Sequence, residues 1–368
     1  MTIILSVIVF VLLIVVLEIK SREHVLDGLK YDVEVRPTVV EPREVFELRS
    51  TVSNKKWIPV LFLKLVEYVP ITMVFDEEEI RGMFTSQSVF QKDNTTLHQN
   101  MYIMGHQKVK RTMHVSMPKR GRYLLRGARM TAGDLLGIHE ESEHIDMIRE
   151  IVVKPDPIDI GSIERSFGGY LGNISVQRFI NPDPIETVGF REYTGREPQK
   201  DISWKQSLRM NRLMVKQYDY TADERSSVIV NVTGGTEDEI EACFSLARSV
   251  CEFLDKKKIV YGFYTNATRV SSNMFMDAYT PDGIGKVHLD SILEQLGRCD
   301  YSSWCDPGNL LKLAIANHSD TRSYVLITPH PEEIQGVVRS FESLIGRQIF
   351  TINASFYHKE ETADDTDD

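Results

Sequence analysis

The chain has 368 residues, a length that suggests two or three domains, and its 42% hydrophobic and 26% charged content is ordinary for a folded protein. The formal net charge of -10 argues against general affinity for nucleic acid, which rests on Lys and Arg neutralising phosphates. The four cysteines, Cys243, Cys251, Cys299 and Cys305, suggest no disulfide framework and point to a reducing compartment.

The first element is the uncharged run IILSVIVFVLLIVVL, from Ile3 to Leu17. It is slightly short of the ~20 residues that span a bilayer, and Met1, Thr2 and Ile19 extend it. No basic residue precedes it and no small-residue cleavage site follows, which argues against a signal peptide. Lys20 and Arg22 come after it, and the positive-inside rule then leaves the remaining chain in the cytoplasm. The expectation is a transmembrane anchor over residues 1–20, a single pass at the cell membrane with the bulk of the chain cytoplasmic.

Residues 30–155 read as short strands. YDVEVRPTVV sets Val33 and Val35 against Asp32, Glu34 and Arg36, and EVFELRSTVSN alternates in the same way. PVLFLKLVEYVP and the segments on either side of the KRGRY turn add further strands, which together predict a β-sandwich. The polar stretch from Phe75 to Asn100 reads as a long loop. Residues 156–225 form a connector dense in Arg, Lys, Tyr and Trp. From Val228 the period changes. SVIVNVTGG, KIVYGFYTN, SYVLITPH and RQIFTINA are strand-like, and between them lie helical segments, one opened by Thr236 and an acidic first turn, another with Pro331 in its first turn. Alternation of this kind predicts an α/β domain over 226–356 with a mainly parallel sheet. The acidic end, 357–368, reads as a solvated, disordered tail.

The order of these parts, together with GFREYTGREPQKDISWKQSLRMNRLMVKQYD (Gly189 to Asp219), resembles the family called domain of unknown function 58. Arg191, Glu192, Tyr193, Ile202, Trp204, Lys205, Arg209, Leu213, Val215 and Lys216 stand in positions matching that family's connector motif. PKRGRYLLRGARMTAGDLLGI, from Pro118 to Ile138, is similar to its upstream signature. The family's Gly-Asp turn falls here on Arg196-Glu197, with Gly195 displaced by one, and Lys200 stands for its usual Arg. The resemblance implies the fold class α/β plus all-β: an N-terminal transmembrane helix, a β-sandwich domain and a von Willebrand factor A-like, Rossmann-type α/β domain. It also implies a partner of the MoxR class of AAA+ ATPases.

Many von Willebrand factor A domains hold a divalent cation on hard oxygen ligands, with an open position for a partner carboxylate. By that resemblance the corresponding positions here are Asn231, Thr233, Gly235 and Thr328. The carboxylates are replaced by neutral groups, so the site is degenerate and no metal or other cofactor is expected. No nucleophile constellation stands out, the ten histidines are scattered, and Cys299 and Cys305 lack the neighbours of a zinc set. VTGGTED resembles a phosphate loop in outline, but the three acids of the following helix's first turn, Glu237, Asp238 and Glu239, would repel phosphate.

In the connector, acids interleave with bases, which favours Arg–carboxylate pairs and buried aromatics in an inter-domain clasp over a nucleic-acid patch. Ile202 and Trp204 have the i, i+2 spacing that points two side chains the same way on an extended segment, so they are expected to be buried together. The functional expectation is a non-enzymatic, membrane-anchored scaffold or adaptor that binds proteins and works with a MoxR-type AAA+ ATPase in complex assembly or envelope maintenance. The alternatives are a metal-dependent, adhesion-type module with substituted ligands, or an envelope-linked hydrolase.

Overall fold

The computed structural model of the protein describes residues 5, 6, 8–10, 12, 16, 18, 19, 25–76, 78, 84–87, 94–134, 137–180, 187–195, 197–218, 225–269, 279–316 and 322–357. The chain divides into two compact units, residues 1–156 with 296–298, and residues 157–295 with 299–368.

The first unit is built of strands β1 (Leu29–Arg36), β2 (Val39–Val40), β3 (Val45–Asn54), β4 (Val60–Pro70), β5 (Val74–Phe75), β6 (Phe84–Gln87), β7 (Asn94–Ile103), β8 (Lys108–Ser116), β9 (Gly121–Leu125), β10 (Ala128–Gly133), β11 (Glu140–Ile145) and β12 (Arg149–Val153). They form a four-stranded sheet β1-β3-β8-β5, a five-stranded sheet β11-β10-β4-β7-β6 and a three-stranded sheet β2-β12-β9. Alternation decides which face of each strand is buried. In β1, Tyr31, Val33 and Val35 turn inward, and in β3 it is Phe46, Leu48 and Val52, while Val45 is left outside. These side chains share one core with Leu63 and Leu65 of β4, Leu97 of β7 and Met113 of β8.

A carboxylate is buried in this unit. Glu67 of β4 accepts a hydrogen bond from the Tyr31 hydroxyl at 2.8 Å and pairs with the Arg111 guanidinium at 2.6 Å. Tyr31 lies on β1 and Arg111 on β8, so the carboxylate of one sheet is held by two strands of another. Burial, together with the neighbouring carboxylate, holds the Tyr31 phenol well above its ordinary range.

The second unit carries, in chain order, α1 (Gly161–Ile180), β13 (Thr187–Glu192), a 3-10 turn (Gln199–Asp201), α2 (Trp204–Met210), β14 (Met214–Tyr218), β15 (Arg225–Val230), α3 (Glu237–Lys256), β16 (Val260–Thr265), β17 (Ala267–Arg269), β18 (Tyr279–Gly283), α4 (Lys286–Gly297), β19 (Cys299–Ser303), α5 (Pro307–Ile315), β20 (Arg322–Thr328), α6 (Gln335–Ile345) and β21 (Phe350–Asn353). Its main sheet runs β18-β16-β15-β20-β21. Strands β15, β16, β20 and β21 pair in parallel. Every residue of β20 is buried, as expected of a strand covered on both faces. Thr236 caps α3 and Glu239 reaches back to the Thr236 amide, which closes a capping box. Arg322 is buried at the start of β20 and forms a two-pronged pair with Asp282 of β18, one arm at 2.9 Å.

The expected class of transmembrane helix, sandwich and von Willebrand factor A-like, Rossmann-type domain is corrected. Among the described residues no helix is long and apolar enough to cross a membrane. The described residues between Leu5 and Ile19 are helical, and the rest of the apolar run lies outside them. The single-pass anchor and the localisation built on it are therefore withdrawn. Among the described residues strands dominate the rest, spread over six sheets. The one large sheet flanked by helices is mixed, because β18 runs antiparallel to β16 along its edge. Hydrophobic periodicity identifies the kind of element but not how its strands pair.

Smaller corrections follow. The stretch from Phe75 to Asn100 contains β6 and the start of β7 in place of a continuous loop, and α6 begins at Gln335, four residues after Pro331. The acidic tail from residue 358 onward lies outside the described residues.

Removing one partner from a buried ion pair strands the other charge and costs about 3–5 kcal/mol. Glu67→Ala is therefore expected to destabilise the first unit on that scale, measured as the urea midpoint of its slowest-exchanging amides.

Candidate functional site

Strands β15, β16 and β20 lie side by side, and in open α/β sheets the ground beyond their carboxyl ends is where ligands bind. Asn231, Asn266 and Thr328 stand there, all buried. The Asn231 side-chain amide donates to Thr328 Oγ1 at 3.0 Å. The two hydrogens of the Asn266 amide are shared among three acceptors, Asn231 Oδ1 at 2.8 Å, Thr233 Oγ1 at 2.8 Å and the Cys305 carbonyl at 3.1 Å. Asn266 Oδ1 in turn accepts from the Val232 backbone at 2.9 Å. All of these groups are neutral, and the Asn231 oxygen that could face a cation is occupied by the Asn266 amide and, at 3.3 Å, by the Thr233 backbone N–H.

Gly235 has a packing reason to be glycine. A Cβ there would come within 2.9 Å of Pro329 Cγ and 3.0 Å of Ile240 Cγ1. Gly234 has φ +80°, a conformation that favours glycine. His330 lies 3.5 Å from Glu239 Oε2 and 3.6 Å from Glu332 Oε1. Among the described residues no group of three or more His, Cys, Asp or Glu is arranged to hold a metal ion. The structure thus gathers Asn231, Thr233 and Thr328 into one cluster with Gly235 packed beside it. It adds Asn266, the hub, which sequence reasoning missed. The one available signal was an Asn directly after a strand, as at Asn231.

The connector forms a second cluster, within the second unit. Strands β13 and β14 make a hairpin. Ile202 bridges to Val215, and the Ser203 amide donates to the Met214 carbonyl at 2.8 Å. The Ser207 hydroxyl donates to the Ser203 carbonyl and accepts from the Met214 amide, both at 2.8 Å. The short helix α2 is thereby bonded to β14 through its underside, where Ile202, Ser203, Ser207, Met214 and Val215 are buried.

Its upper side is open. Trp204 is 63% exposed and Leu208 85% exposed, with Phe190, Met210 and Leu213 exposed nearby in sequence. The expected burial of Trp204 beside Ile202 is corrected. The helix begins at Trp204, so residues two apart no longer face the same way, and only Ile202 is buried. Residues 204 and 208 are one turn apart on a shared face, and Lys205 and Arg209 are exposed beside them.

Charges stiffen the rim of the hairpin. Arg191 pairs with Glu197, and Arg212 with Glu192. Glu197 also accepts from the Thr194 hydroxyl at 2.8 Å and the Thr194 amide at 3.0 Å. The Thr194 hydroxyl, its amide and the Arg191 guanidinium hold the Glu197 carboxyl down to about 2. Tyr193 donates its amide to Leu213. Lys216, on β14, is half-buried. Arg196 lies outside the described residues.

No cysteine offers a ready nucleophile. Cys243, Cys251 and Cys299 are buried thiols outside any disulfide, and burial with the nearby Asp306 pushes the half-buried Cys305 up to about 11.

No family model matches the chain, and no curated protein matches it. Solved structures with some likeness include the CARDB domain of the PF1109 protein from Pyrococcus furiosus, at 13% identity and TM-score 0.20, covering 34% of this chain and 91% of that one. A cohesin module of a family 33 glycoside hydrolase from Clostridium perfringens has 8% identity and TM-score 0.25, covering 34% of this chain and 96% of that one. The major pilin SpaD of Corynebacterium diphtheriae has 8% identity and TM-score 0.26, covering 36% of this chain and 38% of that one. Likenesses of this size assign neither fold nor function.

Two outcomes are expected. Asn266→Ala should destabilise the second unit by about 1–3 kcal/mol or more, since it leaves the Val232 amide without its acceptor and Asn231 Oδ1, Thr233 Oγ1 and the Cys305 carbonyl without their donor, and thermal unfolding of the full chain reads this. For Glu197 the folded carboxyl lies below its unfolded value of about 4.3, so its contribution is present above that pH and is lost as pH falls toward about 2. The Thr194 amide signal in NMR should shift with a midpoint near that lower value, and Glu197→Gln should abolish the shift.

Proposed function

We propose that the chain is a non-enzymatic adaptor that binds other proteins through the open face of α2. One observation carries this reading: Trp204 and Leu208 are exposed one turn apart on a helix whose underside is fixed by buried hydrogen bonds. A large aromatic displayed on a rigid mount, with Arg209 beside it, matches the Trp and Arg enrichment of protein-binding hot spots. The mount lowers the entropic cost of ordering the contact. The neutral, internally bonded cluster at the strand ends offers neither a nucleophile nor a general base, which also favours binding over catalysis. The partner we propose is a MoxR-type AAA+ ATPase, the companion that the connector's resemblance implies.

The test is a pull-down with the full chain in the presence of ATP. An AAA+ ATPase should co-purify with the wild type and be lost with Trp204→Ala/Leu208→Ala, for which a hot spot of about 2 kcal/mol or more predicts a loss of roughly thirtyfold or greater. The single variant Trp204→Ala should shift the urea midpoint by no more than about 0.5 kcal/mol, as expected of an exposed position. Undiminished capture by the double variant would overturn the assignment of this face.

A further inference from the structure

The first unit carries a cleft that the adaptor reading does not use. It is an open recess of about 470 Å³ on the outer face of the five-stranded sheet, over strands β4, β7 and β10 and the start of β11. Its volume falls in the range of ~300–1,000 Å³ common to small-molecule sites.

A break in strand alternation creates it. Between Val60 and Leu63 the register of β4 against β7 shifts, and both Leu61 and Phe62 are left on the outside while Val60 and Leu63 are buried. Such bulges re-aim side chains, and they occur often beside functional sites. The Phe62 ring is then seated against glycine. A Cβ at Gly137 would come within 2.9 Å of the ring, and one at Gly133 within 3.1 Å of Phe62 Cβ. The turn that presents Gly137 is closed by the Asp134 carboxylate, which accepts from the amides of Ile138 at 2.7 Å and His139 at 3.0 Å. Phe62 nevertheless remains 53% exposed, and Tyr102, also lining the cleft, is 65% exposed.

Polar side chains share that face. Lys64 is in register with Asn100 on one side and Thr131 on the other, and Glu140 is in register with Gly133. Among the described residues no hydrogen bond or ion pair engages the side chains of Lys64, Asn100 or Glu140. They supply ammonium and amide donors together with amide and carboxylate acceptors, and the charges of Lys64 and Glu140 cancel.

We propose that this cleft is a saccharide-binding site. A sugar ring presents an apolar C–H face and a rim of hydroxyls that both donate and accept, which matches two exposed aromatic rings beside a charge-balanced polar floor. An extended peptide is disfavoured by topology. It would gain main-chain hydrogen bonds only at a free sheet edge, and the cleft lies mainly over inner strands whose backbone groups are already used in ladders. The absence of net charge disfavours phosphate or carboxylate ligands.

The test is calorimetric titration of the full chain with cellopentaose, xylopentaose, mannopentaose, chitopentaose and maltopentaose. At least one should bind saturably. Phe62→Ala and Tyr102→Ala should each weaken that binding by about tenfold, the scale of one lost aromatic contact, while Tyr102→Phe should stay within about twofold. Trp204→Ala should leave sugar binding unchanged, so failure here and failure of the adaptor reading are distinguishable. Tyr102 is mostly exposed, so its variants should keep the wild-type melting temperature even if Phe62→Ala does not. Absence of saturable binding to all five oligosaccharides would overturn the proposal, as would binding that persists in Tyr102→Ala.

Discussion

The side-chain amide of Asn266 is the constraint on which the strand-end region of the second unit depends. One planar group of two hydrogens and one oxygen reaches the end of β15 through Asn231, the loop after it through Val232 and Thr233, and the approach to α5 through the Cys305 carbonyl. Asn231 passes the connection on to Thr328 at the end of β20. Low local dielectric strengthens bonds of this kind and raises the penalty for leaving any one of them unmade. The cluster thus behaves as a single unit in which every member limits its neighbours' choices. A charged side chain at any of these buried places would need a counter-charge.

The first unit contains a different kind of polar pin. Glu67 is charged and buried, and it is held by Tyr31 and Arg111 across two sheets. Such pairs add little net stability compared with a well-packed apolar core, but they penalise any arrangement in which the partners fail to meet. Tyr31 of β1 and Arg111 of β8 reach Glu67 of β4 from the other sheet, so the three groups meet only with the two sheets placed as they are. Both units thus place a buried ion pair between strands, Glu67–Arg111 in the first and Asp282–Arg322 in the second, and the second adds the neutral amide cluster.

The parts legible in the sequence were those with strong periodicity. β15 and β20 read as continuous apolar runs because both faces are covered, and α3 declared itself through Thr236 and the acids that follow it. The connector was harder, because local and tertiary preferences conflict there. Trp204 follows an extended residue and reads as part of the same segment, yet the Ser203 and Ser207 hydrogen bonds make it the first residue of a helix. The bulge at Leu61 and Phe62 was hidden for a similar reason: PVLFLKLVEYVP is apolar at most positions, so a one-residue slip leaves no mark on the pattern. Asn266 gave only a weak signal, since an Asn after a strand is an ordinary turn residue until its partners from other segments are known. The uncharged N-terminal run shows the opposite failure, in which a strong hydropathy signal led to an element that the described residues do not contain.

The space at Gly235 has a consequence for how this sequence can vary. Pro329 Cγ and Ile240 Cγ1 together fill the volume that any side chain at position 235 would need. Residues 235, 240 and 329 come from three different segments, yet they can change only in a set order. Pro329 or Ile240 must shrink before 235 can grow. Relatives of this chain that carry serine or alanine at the equivalent of 235 should therefore carry a smaller residue at one of the other two positions.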